Sequence, residues 1–120
     1  VDDAWQGVTH VVRGADLLGS TARQIYLQGL LGCGQPEYLH LPVATNAAGE
    51  KLSKQTMAAP VEATNGAGLL VEALRFLGQC PPADLSRASV RDVWVWAVES
   101  WDPATIPRGL EQPAPGPASE

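Results

Sequence analysis

The stretch THVVRGADLLGSTARQIYLQGLLGCGQPEYLHLPV, residues 9–43, decides the fold. Thr9–Arg13 is short and β-branched, the composition of a pleated strand. Ser20 or Thr21 can cap a helix through Ala22–Leu31, with Gly32 as its stop. Ala22, Ile25, Tyr26 and Leu30 share one face of that helix, widened by Leu27 and Leu31. Tyr38–Val43 is a second strand with Pro42 near its end. Strand, helix and strand in this order predict a βαβ unit of a parallel sheet, hence an α/β fold. In open parallel sheets ligands gather beyond the carboxyl ends of the strands. Arg13 ends the first strand and the loop GEKLSKQ, residues 49–55, follows the second, so both are expected on the ligand side.

Before this unit, Asp2, Asp3 and Gly7 read as a turn, with Val1 as the tail of a lost partner strand. That opening has the look of mid-hairpin sequence and suggests a fragment. After Pro60 the pattern turns helical. Asn65, Gly66 and Gly68 introduce a helix carrying Leu70, Ala73, Leu74 and Leu77 at helical spacing, and Gly78 closes it. Ser89 can cap a further helix, with Asp92 in capping-box register. Its stripe is Val90, Val93, Trp94, Ala97, Val98 and Trp101, and Pro103 ends it. Trp94 and Trp101 are expected in the core, leaving Trp96 as the indole to test for an outside contact. Five prolines among residues 103–120 predict a disordered tail.

Hydrophobic residues make up 45% of the 120-residue chain and charged ones 18%, enough apolar content for a core. The net charge of -5 argues against a nucleic-acid surface, yet the imbalance is uneven. Residues 1–59 hold five acids against four bases, including both lysines, whereas residues 60–120 hold eight against four. Cys33 and Cys80 stand far apart with no CxxC spacing, which fits a reduced, cytoplasmic chain better than a disulfide framework or a zinc site. No apolar run reaches membrane-spanning length, and no signal peptide precedes the first residue. No GxxxxGK[ST] phosphate loop or Ser/His/Asp arrangement occurs. His10 and His40 fall in strands, where sheet-surface or hydrogen-bonded roles are expected of both.

Taken together, VVRGADLLGSTARQIYLQ, then YLHLPV, then GEKLSKQ resemble the class I glutamyl-tRNA synthetases and their truncated relatives over about residues 1–60. Agreement is weaker through the two later helices. Lys51–Gln55 resembles the lysine signature (KMSKS) loop and Arg13-Gly14 the start of the arginine motif. RGADLL and KLSKQ, in place of RGEDH and KLSKR, are similar to the glutamyl-queuosine tRNA(Asp) synthetase branch.

The resemblance implies part of a Rossmann-type catalytic domain followed by a small helical region. The expected divisions are 1–59, with the KLSKQ loop, 60–102, helical, and 103–120, the tail. It implies activation of glutamate by ATP with Mg2+ and transfer to the queuosine base of tRNA(Asp). Lys54 would contact ATP with Lys51 as helper, and Ser53 would offer a hydroxyl to phosphate or to the loop. Arg13 would bind glutamate, since a guanidinium fork matches a carboxylate bidentately. Asp16 would orient Arg13 or, the favoured reading, cap the turn after it, and Arg23 would reach phosphate, pair with Asp16 or face solvent. The ATP-gripping HIGH signature and a zinc cluster would lie upstream, with no metal ligand in this chain. A monomer is expected, inactive as an isolated fragment. The competing readings are a fragment of an ordinary glutamyl-tRNA synthetase and a non-catalytic tRNA- or nucleotide-binding relative.

Overall fold

A computed structural model describes residues 1–53 and 63–114. In chain order the elements are helix α1 (Asp2–Trp5), strand β1 (His10–Gly14), a 3-10 turn (Ala15–Leu17), helix α2 (Leu18–Leu30), and strands β2 (Glu37–Leu41) and β3 (Val43–Thr45). Helix α3 (Gly66–Phe76), a 3-10 segment (Ala83–Arg87), helix α4 (Val90–Ser100), a 3-10 turn (Pro103–Thr105) and strand β4 (Glu111–Pro113) follow. The architecture is α/β. β1 and β2 run parallel, in register from His10 opposite Glu37 to Gly14 opposite Leu41, and α2 is the crossover between them.

Both glycine stops form the same motif. Gly32, at φ 66°, donates to the Gly29 carbonyl while Cys33 N–H reaches back to Gln28. Gly78, at φ 75°, donates to Arg75 while Gln79 N–H reaches Leu74. Each pair satisfies carbonyls that the helix end would leave open. Ser89 caps α4 as expected, its Oγ accepting from Asp92 N–H at 3.1 Å.

The core of the helical half is Val71 and Leu74 of α3 against Val93 and Ala97 of α4, with Leu70, Leu85 and Trp96 packed around it. This corrects the expectation for the indoles. Trp96 flanks the core, while Trp94 is 54% exposed and Trp101 also faces outward. α3 meets α4 along the Val93–Ala97 line, so the two sides of the apolar stripe part company. Trp94, Val98 and Trp101 are left beside an open groove of about 320 Å³ whose other walls include Leu70 and Leu77.

Four further expectations are corrected. The opening residues form α1, with Trp5 and Gln6 N–H bonded to the Val1 and Asp2 carbonyls, and Asp2 and Asp3 sit in its first turn, where negative charge suits the helix dipole. α2 starts at Leu18 with no side-chain cap, because the 3-10 turn already feeds it; Ser20 and Thr21 lie inside the helix. The second strand is split at Pro42, which has no N–H to donate to a ladder.

Finally, the described part of the tail, 103–114, is ordered. β4 pairs parallel with β3, Val43 opposite Glu111, flanked by Val43 N–H to Leu110 and Ala114 N–H to Thr45. The apolar face of α2 is largely open, with Tyr26, Leu27, Leu30 and Leu31 all exposed. Among the described residues no helix is long and apolar enough to cross a membrane.

Candidate functional site

Arg13 leaves the carboxyl end of β1 and is half-buried. In parallel register it lies opposite His40, while Val11 lies opposite Tyr38, so both pairs share one sheet face. α2 covers that face: Thr21 reaches Arg13 and His40, and Gln28, seven positions later on the same side of the helix, bonds the Tyr38 hydroxyl at 3.0 Å. Arg13 Nη2 donates to Thr21 Oγ1 at 2.7 Å, and its Nε lies 3.5 Å from His40 Nε2. The guanidinium carbon sits 5.2 Å from the centre of the Tyr38 ring, within cation–π range. Tyr38 in turn stacks on His40.

Every one of these partners is neutral or a ring nitrogen. Among the described residues no carboxylate lies within ion-pair distance of Arg13. The Nε/Nη2 edge of the fork is held by protein, and Nη1 makes no hydrogen bond among the described residues. A cleft of about 310 Å³, walled in part by Val11, Arg13, Leu27, Gln28 and Tyr38, adjoins it. That is room for a small polar molecule.

The lysine loop is shaped by Asn46. Its Oδ1 accepts from Ala48 and Glu50 N–H, both at 2.9 Å, and its Nδ2 donates to Glu50 Oε2. Gly49, at φ 80°, supplies the left-handed corner, and Thr45 and Lys51 pair across it. Up to Ser53 this loop is a hydrogen-bonded turn, with Gly49 at its corner. Lys51 Nζ then crosses to Asp16 Oδ2 at 2.5 Å, in the turn that follows Arg13 and Gly14. That hydrogen bond, against a smaller opposing effect of desolvation, holds the Asp16 carboxyl below its usual range. Asp16 thus serves Lys51, and no side-chain cap is formed on its own turn.

Residues 1–79 match the family model for tRNA synthetases class I (E and Q), catalytic domain. The chain belongs to this family. It is 62% identical over 97% of its length to a glutamyl-Q tRNA(Asp) synthetase of Aromatoleum aromaticum, and 54% identical over 94% to one of Pseudomonas fluorescens. It spans 37% and 38% of those two relatives. Its fold is similar to that of a glutamate-tRNA synthetase from Elizabethkingia anophelis (TM-score 0.56, 24% identity, covering 88% of this chain and 25% of that one). A glutamate tRNA ligase from Elizabethkingia meningosepticum, solved in complex with its amino acid, gives a TM-score of 0.59 at 22% identity, over 95% and 26% of the two chains.

Within this synthetase domain, Arg13 and Lys51 both reach the carboxyl-end side of β1, Arg13 directly and Lys51 through Asp16. Ser53 is half-buried at the far side of the same turn. Lys54 lies outside the described residues. Arg23 is exposed and enters neither ion pair found among them, and His10 forms the second of these with Glu37 at 3.7 Å on the surface. Cys33 and Cys80 are free thiols, and no three His, Cys, Asp or Glu side chains among the described residues could share a metal ion, so the donors present do not fit a zinc site.

Sequence reasoning missed Thr21, Tyr38 and His40 as a group around Arg13. The available signal was register: two parallel strands aligned at Arg13 and His40 put both on the face that the crossover helix must cover.

Proposed function

We propose that this chain is part of a glutamyl-queuosine tRNA(Asp) synthetase. In the first step the α-carboxylate of glutamate attacks the α-phosphorus of ATP, forming glutamyl-adenylate and releasing pyrophosphate. In the second the glutamyl group passes to the queuosine base of tRNA(Asp), releasing AMP. The observation that carries the reading is the 62% identity, sustained over 97% of this chain, to a relative bearing that name. A half-buried guanidinium with no acidic partner among the described residues, beside a cleft of amino-acid size, supports the assignment of Arg13 to a carboxylate of glutamate.

ATP enters as its Mg2+ complex. Negative charge grows on its phosphates as the α-phosphorus is attacked, so a positioned ammonium contributes most at the transition state. We assign that role to Lys54, with Lys51 and Ser53 beside it. Lys51 is shared with Asp16, which makes it the weaker candidate for a direct phosphate contact.

The test uses the intact enzyme that contains this chain. Purified enzyme should transfer labelled glutamate to tRNA(Asp) from a queuosine-competent host and not to the same tRNA lacking queuosine. Lys54→Ala should slow glutamate-dependent pyrophosphate exchange by about a hundredfold. Acylation of tRNA(Glu), indifferent to queuosine, would assign the chain to an ordinary glutamyl-tRNA synthetase. Undiminished exchange in Lys54→Ala would remove the lysine from the chemistry.

A further inference from the structure

We propose that Thr21 is a positioning residue for Arg13, fixing which edge of the guanidinium a substrate carboxylate meets. The inference rests on the reading of Arg13 as the glutamate contact and extends it to a residue on another element. Guanidinium nitrogens only donate, so the 2.7 Å contact makes Thr21 Oγ1 an acceptor whatever tautomer His40 adopts. The single hydroxyl proton of Thr21 then goes either to the Leu17 carbonyl, 3.2 Å away, or to His40 Nε2 at 2.9 Å. In both arrangements a lone pair remains for Arg13.

Thr21 is 7% exposed, the most buried side chain around Arg13, and sits on α2, whose Gln28 is pinned to Tyr38. The hydroxyl is therefore carried on a rigid support. With Tyr38 under its face, Arg13 cannot rotate about its long axis without giving up the Thr21 and His40 contacts. A guanidinium offers a carboxylate two forks, Nε/Nη2 at the side and Nη1/Nη2 at the end. Thr21 takes the side fork through Nη2, and His40 closes it off, 3.5 Å from Nε. The end fork is left for the ligand. A bidentate pair depends on direction, so loss of the support should weaken binding of the amino acid and leave the nucleotide alone.

The experiment is steady-state pyrophosphate exchange on the intact enzyme, varying glutamate and ATP separately, in Thr21→Val, Thr21→Ser and Arg13→Lys. Valine keeps the shape and removes the oxygen. Thr21→Val should raise KM for glutamate about tenfold, with kcat and KM for ATP within about twofold, and Thr21→Ser should restore glutamate KM. If Arg13→Lys raises glutamate KM but Thr21→Val does not, Thr21 positions nothing and the proposal is wrong. A rise in both KM values, or failure of serine to rescue, would make Thr21 a merely structural residue and would also overturn it. Unchanged glutamate KM in Arg13→Lys would instead remove the reading beneath it.

Discussion

Gly14 has an ordinary backbone angle, φ −64°, so its missing side chain is not a conformational requirement. Space is what matters there. A Cβ on Gly14 would collide with Asp16 Oδ1, the carboxylate that holds Lys51. The colliding atom ends a flexible side chain, so Gly14→Ala should cost no more than about 1 kcal/mol of stability. It should nonetheless swing Asp16 away from Lys51. Because the Lys51 hydrogen bond is the main cause of the lowered Asp16 pKa, that swing has a direct readout. In the wild type, carboxyl NMR should find Asp16 titrating below the usual range, and in Gly14→Ala it should return to it. The sign follows from linkage: a depressed carboxylate stabilises the fold at neutral pH, and this contribution fades as pH falls below about 4 and through the lowered value. An Asp16 titration identical in both proteins would show that glycine is not what keeps the pair together.

At the scale of elements, α3 and the segment after α4 are joined chiefly by the amide of Gln79, with a longer bond from Gln112 Nε2 to the Phe76 carbonyl at 3.3 Å. Gln79 is 6% exposed, and its Nε2 lies within hydrogen-bond distance of Leu77 O, Asp102 O and Thr105 Oγ1, while its Oε1 accepts from Asp102 N–H at 3.0 Å. Gly78 beside it has no room for a side chain, since a Cβ would strike the Thr105 carbonyl. Gln79→Leu would bury these groups unpaired, at a cost of about 2–3 kcal/mol. Hydrogen exchange should report it as lost protection at Asp102 and Thr105, with the α3 amides little changed; unchanged protection at Asp102 would refute the tie. This contact also explains what could be read from sequence. The glycine stops and the Ser89–Asp92 cap are decided within five residues, and all were legible. The tail is decided by Gln79, 23 positions from Asp102, and by β3, so its proline content pointed the wrong way. The site divides along the same line. Arg13 and Lys51 stand out by residue type, whereas Thr21 joins Arg13 only once the crossover helix is laid on the sheet. Asp16 was expected to serve its own turn, because its true partner arrives 35 positions later.

For the whole molecule the telling quantity is surface. Among the described residues, large apolar side chains stand open in two places. Trp94, Val98 at 76% exposure and Trp101 edge the groove between α3 and α4, and Tyr26 and Leu30 lie open on α2. Patches of this kind on a soluble chain mark surfaces that bind something. The relatives it matches are much longer, this chain spanning 37% of the first of them. Expressed alone, the 120-residue chain should therefore bind an apolar dye such as ANS and self-associate as its concentration rises. Trp94→Lys together with Val98→Glu should reduce both effects and leave helical circular dichroism intact, since neither side chain belongs to the Val71–Val93 core. Dye binding that persists in the double variant would move the sticky surface to α2, where Tyr26→Lys tests it directly. A chain that is monomeric and dye-free from the start would mean that these faces find cover within the 120 residues themselves.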